Sequence, residues 1–451
     1  MRIKLISIIV LCIFIFTGCS VGAGIDTLLL PPKLSDDQSA INQALIDKVG
    51  QNIKLKYPKS GDYRSAFLIA NIDDEPTDES IVFYEKTGMN KGESNLRVNI
   101  LDKRDGKWVS VFDHASSGVE IDRIMISKLG SEGLTTIIVG YSLINQSEKT
   151  LEAYNYSNGV LKTIFADKYS AMEVMDINKD SFNELVLITN TTVALADATN
   201  KASTQTKISI GKVLMRQGDQ FIEESEAGMD ERAAQNAGMV RGSVGVDTPA
   251  LFIDSAMGDG TIQTQIIYND DKQLKNPLNS QREIMAKTSR PVGYASMDVD
   301  NDGVVEIPTL QPFPGYEAVD ESAQICVTDW LVFEQNALFK KNSGYYNIKE
   351  AYCFMLPSRW QGTVTVKEDI TNDEVVFYKY SGAITDDMVE LMRIKVMKRG
   401  TNEEQLKNGY QTIVSKGQIE YMVKVAEDND EPLVLTMSEI MFNFYVLYQS
   451  N

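Results

Sequence analysis

The stretch Asp298-Val299-Asp300-Asn301-Asp302-Gly303-Val304-Val305-Glu306 constrains this chain more than any other. Acids at positions 1, 3, 5 and 9 and a glycine at position 6 describe a tight turn with its oxygen atoms gathered inward. A hard cation such as calcium, which takes six to eight oxygens at about 2.3–2.6 Å, suits that arrangement. A helix-flanked calcium loop would need an acid at position 12, where this chain has Thr309, and the flanks 292–297 and 306–310 have strand character. The expectation is a turn between two strands.

The frame recurs. Asp176, Asn178, Asp180 and Glu184 fill the same positions in a second copy, and Asn71, Asp73, Glu75 and Glu79 make a looser third with Pro76 at the sixth place. Strand-like runs follow both, Leu185-Val186-Leu187-Ile188 and Ile81-Val82-Phe83-Tyr84. The predicted metal ligands are therefore Asp298, Asp300, Asp302 and Glu306, then Asp176, Asn178, Asp180 and Glu184, then Asn71, Asp73, Glu75 and Glu79. The bland alternative for each is a solvated acidic turn. Carboxylates crowded into nine residues repel unless a cation intervenes, and an ion held there would be structural, not catalytic.

Between and around these turns the chain reads as short antiparallel strands. Hairpin signals at Asp105-Gly106, Asn158-Gly159 and Gly218-Asp219 separate apolar runs, which predicts four-stranded units. Five such repeats are recognisable over 66–344, at about 66–116, 119–167, 171–222, 249–278 and 292–339. The second and fourth lack the acidic frame, and the polar, Gly-rich segment 223–246 reads as a connecting loop, helix-like near 229–235. Units of this kind bury their faces only by stacking on neighbours, so the array folds as a whole. Spacing leaves open whether it closes with five units or borrows strands. Ahead of the repeats, residues 35–65 predict one helix, capped by Ser35-Asp36-Asp37-Gln38, and a lead-in strand. After Gly344 the character changes: a Leu356-Pro357-Ser358-Arg359-Trp360 motif, alternating strands and two capped helical segments predict a separate α+β domain over 345–451.

The N-terminus reads as an export signal. Arg2 and Lys4 precede an apolar core over 5–16, too short to span a bilayer, and Thr17-Gly18-Cys19 follows. Small residues before a cysteine resemble the bacterial lipobox; the alternative is an ordinary secretory signal with a chance cysteine. On the lipobox reading, 1–18 is a signal peptide, Cys19 is lipidated, 19–34 is a tether, and the chain is anchored by lipid on the extracytoplasmic face of the membrane. A formal charge of −19 argues against nucleic acid as a partner. Cys326 and Cys353 are either a disulfide or two core thiols.

The acidic turns between strands are similar to the FG-GAP and VCBS calcium loops of integrin-like β-propellers, and the whole chain resembles FG-GAP-type lipoproteins of Gram-positive anaerobes. The resemblance implies a mainly β chain, with an FG-GAP-like β-propeller followed by a small α+β domain. It implies structural calcium and no particular activity. No catalytic constellation is identifiable: the single histidine, His114, sits in a polar turn, and Trp360 is expected to be a core residue before a ligand platform. The expected role is an extracytoplasmic binding or scaffolding module for an envelope protein or polysaccharide. The rival is a cell-wall or extracellular polysaccharide hydrolase using a carboxylate pair.

Overall fold

The computed structural model describes residues 34–87, 95–143, 149–196, 203–234, 236–426 and 431–447. The expected signal peptide, Cys19 and all of the tether except Leu34 lie outside them. The chain is mainly β. Among the described residues six antiparallel sheets follow one another in sequence, and no helix is long and apolar enough to cross a membrane.

Helix α1 (Asp36–Val49) opens on the expected capping box between Ser35 and Gln38. It buries Ile41 and Leu45 against Phe67, Val82, Tyr84, Leu101 and Trp108 of the first sheet. That sheet holds β1 (Ile53–Leu55), β2 (Phe67–Ala70), β3 (Glu79–Lys86), β4 (Leu96–Arg104) and β5 (Lys107–Ala115), with β1 and β2 sharing one edge of β3. The second sheet is β6 (Glu120–Leu129), β7 (Leu134–Ser142), β8 (Lys149–Ser157) and β9 (Val160–Tyr169). The third is β10 (Ala171–Met175), β11 (Glu184–Ala196), β12 (Ser203–Gln217) and β13 (Gln220–Met229). Asp105-Gly106 and Asn158-Gly159 both have positive φ at the two turn positions, as the two-residue hairpins joining β4 to β5 and β8 to β9 require.

The fourth sheet begins earlier than expected. Its strands are β14 (Asn236–Val244), β15 (Thr248–Ala256), β16 (Thr261–Asp270), β17 (Gln273–Lys275) and β18 (Arg290–Pro291), and helices α2 (Pro277–Ser280) and α3 (Arg282–Ala286) link the last two. The segment 223–246, read as a connecting loop, is therefore mostly strand. β13 is polar because it is an outer strand with most of its side chains exposed or half-exposed. Part of the glycine content of β14 has a steric cause: a Cβ on Gly242 would lie 2.3 Å from Val305 Cγ2.

The expected boundary at 344/345 falls inside a strand. The fifth sheet is β19 (Ile307–Pro312), β20 (Cys326–Glu334), β21 (Ala337–Asn347), β22 (Tyr352–Met355) and the last strand, β28 (Phe444–Val446). The sixth is β23 (Val364–Asp369), β24 (Glu374–Lys379), β25 (Glu390–Lys398), β26 (Gln411–Lys416) and β27 (Ile419–Val425), with short helices α4 (Glu403–Lys407) and α5 (Met437–Phe442). One aromatic core, including Phe313, Tyr345, Phe354, Trp360, Phe377 and Phe444, lies on both sides of the boundary. Trp360 is fully buried and donates from Nε1 to Leu433 O at 2.7 Å. Of the seven hydrophobic clusters among the described residues, five link sheets that are neighbours in sequence, one packs α1 on the first sheet, one lies within the fifth sheet, and none joins the sixth sheet to the first.

Candidate functional site

The three acidic frames fold into one kind of turn. Each precedes a strand whose first or preceding residue is the glutamate of position nine: Glu79 opens β3, Glu184 opens β11, and Glu306 bridges to Met297 just before β19. The residue at position two is apolar and buried in each, as Ile72, Ile177 and Val299, and its N–H donates to the glutamate Oε2 at 3.0, 3.2 and 2.9 Å. Asp74, Lys179 and Asn301, at position four, all adopt φ of +62 to +64°. In the second and third turns the first aspartate closes the ring, with Asp176 accepting from Asp180 N and Ser181 N, and Asp298 from Asp302 N and Gly303 N. Ser181 stands where Gly303 stands, at φ +74° against +88°.

The turns also join sheets. Asn183 bridges in parallel to Leu129 of β6, and Val304 to Ser243 of β14, so the second turn is fastened to the second sheet and the third turn to the fourth sheet. In the first turn, Asp74 takes Lys128 Nζ at 2.8 Å and Thr135 Oγ1 at 3.4 Å from the second sheet.

Register extends the likeness to the third strand after each turn. Glu79 and Glu184 stand one residue before Ser80 and Leu185, which pair with Leu101 and Leu214; Glu306 likewise precedes Ile307, which pairs with Leu331. At each of those partners the next hairpin carries a bulge, and the extra residue is Val111, Glu224 or Lys341, the fifth residue of β5, β13 or β21. The second sheet has the same bulge at Ile164 of β9. There Thr136 takes the place of the glutamate, and Arg216 Nη1 donates to its hydroxyl at 2.6 Å. A bulge turns one side chain out of the alternation, and in the third and fifth sheets it brings Glu224 and Lys341 to their turns.

The three turns differ in charge. Around Asp298 the ligand oxygens of Asp298, Asp300 and Glu306 lie within 4.8 Å of one another. Lys341 Nζ contacts Asp300 at 2.9 Å, Asp302 at 2.6 Å and Glu306 at 2.7 Å. Burial lowers the Lys341 pKa, but the hydrogen bonds to Asp302, Glu306 and Asp300 outweigh it and raise the ammonium above its ordinary value. Glu306 is still pushed up to about 7, by burial above all, against the pull of Lys341 and the Val299 amide.

Around Asp176 no such cation is found among the described residues. Glu184 is fully buried, and its Oε1 has no hydrogen-bond partner. Burial, Asp180, Glu224 and Asp176 raise its carboxyl to about 8, opposed by the Ile177 amide. Glu224 brings its Oε2 to 3.4 Å from Asn178 Nδ2, while Lys179 turns away to Asp247 at 2.7 Å. A cation-binding turn of oxygen donors fits these residues. The turn at Asn71 is partly closed on itself: Asn71 donates to Glu75 O and accepts from Asp74 N at 2.8 Å. Its buried Glu79 is raised to about 7 by burial and by Asp73, Asp102 and Glu75, against the Ile72 amide.

A second feature lies between the fifth and sixth sheets. A cleft of about 460 Å³ is lined by Tyr294, Tyr346, Asn347, Glu350, Glu368 and Asp373 among others. Tyr294 and Tyr346 meet edge to face at 5.6 Å. Glu374, at its floor, is pushed up by burial but pulled further down by Tyr410, Lys395 and Arg393, and ends below its ordinary value. Cys353, buried next to this region, and Cys326 are free thiols. His114 is exposed at the end of β5. Sequence reading missed Glu224, Lys341 and the cleft. The first two were findable by counting five residues into the strand after a hairpin turn.

No family model and no curated protein matches the chain. Among solved structures it is similar to a protein assigned as a 6-phosphogluconolactonase from Bacteroides fragilis, at 9% identity and TM-score 0.30, over 75% of this chain and 92% of that one. An exotype rhamnogalacturonan lyase matches at 9% identity and TM-score 0.29, over 75% of this chain and 73% of that one. A Bacillus licheniformis rhamnogalacturonan lyase matches at 10% and 0.30, over 74% and 76%. These neighbours are β-propeller-like.

Proposed function

We propose that the chain is an extracytoplasmic, lipid-anchored binding or scaffolding protein in which acidic turns fasten an FG-GAP-like array of sheets, with calcium as the structural ion. Calcium would supply positive charge to Glu184, Asp176, Asp180 and Asn178, a set with buried oxygen to offer and no lysine inside it. The observation that carries the binding reading over the hydrolase is where the raised carboxyls lie. Glu79, Glu184 and Glu306 sit one to a turn, each at most 1 % exposed and bonded to the Ile72, Ile177 or Val299 amide, so each raised carboxyl is held within its turn and not presented to a substrate.

The ligand site on this reading is the cleft between the fifth and sixth sheets. Its volume is that of a small-ligand pocket. Tyrosine faces with carboxylates and an amide beside them suit the apolar faces and hydroxyls of a sugar. Purified envelope polysaccharides passed over the immobilised protein are expected to be retained, with retention lost in Tyr294→Ala and Glu368→Ala. Release of new reducing ends from the same fractions would refute the binding reading in favour of hydrolysis.

A further inference from the structure

We infer that the bulged fifth residue of the third strand after an acidic turn decides whether that turn takes a free cation, and that Lys341 closes the Asp298 turn to metal. The two turns are matched residue for residue, in the amide bond to glutamate, the ring closed by the first aspartate and the pairing of the next strand. At the matched bulge one sheet carries Glu224 and the other Lys341. The first adds a carboxylate to a turn without a cation. The second delivers an ammonium to the centre of one.

The lysine reaches that point because of the bulge. Leu331 pairs with Lys340 and Trp330 with Asn342, which leaves Lys341 as the extra residue, turned toward the acids. Lys340, one residue earlier, points instead to Asp329 at 3.6 Å. Nζ lies 2.6–2.9 Å from the three carboxylates, close to the distances at which calcium would hold the same oxygens. An ammonium and a divalent ion cannot both occupy that space. The turn with the best acidic frame is thus the one neutralised from within, and Asn342 Nδ2, 3.5 Å from Asp300, adds a second donor from the same strand.

The comparison with Asp176 rests on the calcium reading above, but the claim about Lys341 can fail by itself. Calcium stoichiometry is measured by equilibrium dialysis on the purified folded chain, wild type and variants. Asp300→Asn is expected to leave the wild-type stoichiometry unchanged. Lys341→Met and Lys341→Glu are each expected to gain one equivalent, lost again when Asp300→Asn is added. Should Lys341→Met be unfolded in chelator, calcium is expected to restore its circular-dichroism spectrum. A wild-type equivalent lost with Asp300→Asn, no gain in either lysine variant, or no rescue of an unfolded variant would overturn the inference. The calcium reading of Asp176 is judged separately, by whether Glu184→Gln removes an equivalent from the wild type.

Discussion

Replacing Glu184 with glutamine in the metal-free chain tests the electrostatics of the turn directly. Glu184 is fully buried, one of its oxygens has no partner, and its carboxyl stands at about 8 against an ordinary value of 4.5. A folded-state pKa above the unfolded one means that the fold favours the protonated acid. That contribution is complete below about pH 4.5 and is lost as pH climbs through about 8. At roughly 1.4 kcal/mol per tenfold change, holding the group ionised above pH 8 costs on the order of 4–5 kcal/mol, of which relaxation and water entry should leave about 2–4. Glutamine keeps an oxygen for the Ile177 amide, offers an N–H₂ where Oε1 is unpaired, and does not titrate. Unfolding by urea in the presence of chelator, from about pH 4 to about pH 9, is expected to show near-equal stabilities at the acid end and a Glu184→Gln variant more stable at the alkaline end. Glu79 and Glu306 titrate in both proteins and cancel in the difference. With saturating calcium the order reverses at high pH, because the variant has lost a ligand. A difference that does not change with pH, or a variant less stable than wild type in chelator at pH 9, would refute the argument.

Three further outcomes follow from buried contacts. Arg290→Met strands Asp254, since the two are buried together with Nη2 to Oδ1 at 2.7 Å; removing one partner of such a pair costs about 3–5 kcal/mol, read from urea midpoints, and Asp254→Asn should recover part of it. Gly130→Ala places a Cβ 2.0 Å from Arg216 O at φ +67°, so it should destabilise by more than the ~0.4–1 kcal/mol that such a change gains where the backbone permits it, read from urea midpoints. Chelator is expected to speed amide hydrogen exchange in β10 and the start of β11 while leaving β19 unchanged, since the former flank a turn whose carboxylates meet no ammonium among the described residues.

Much of the fold is legible because hairpins and turns are local. Asp105-Gly106 and Asn158-Gly159 set their own φ values and the register of the strands they join. The acidic frames are legible for the same reason: positions two, four and nine act within one turn. Position on the outer face of a sheet is not local. β13 looks like a loop because its side chains meet water on both sides, and β14 because Gly242 lies against Val305 of another sheet. The change of character at 344/345 falls inside a strand for a related reason. Sequence character changes there, but β21 runs through it and β28 returns from the end of the chain to complete the same sheet. The site was half legible. Its acids are contiguous, whereas Lys341 is 35 residues beyond Glu306 and reaches it only through a bulge.

That division bears on what an acidic frame means. The glutamate of position nine is fixed in all three turns by the same amide, from Ile72, Ile177 or Val299, whether the nearest positive charge is Lys128 on Asp74, absent from within the turn at Asp176, or Lys341. Its task in the turn is to satisfy a buried N–H and seat the following strand, and that task needs no ion. What needs an ion is the crowding of carboxylates that results, because a buried, unpaired carboxylate is costly. At the one bulge position Lys341 offsets that cost in the Asp298 turn, Glu224 adds to it in the Asp176 turn, and Val111 brings no charge to the Asn71 turn. The frame therefore specifies a turn, and the bulged residue of the third strand after it sets what charge is added.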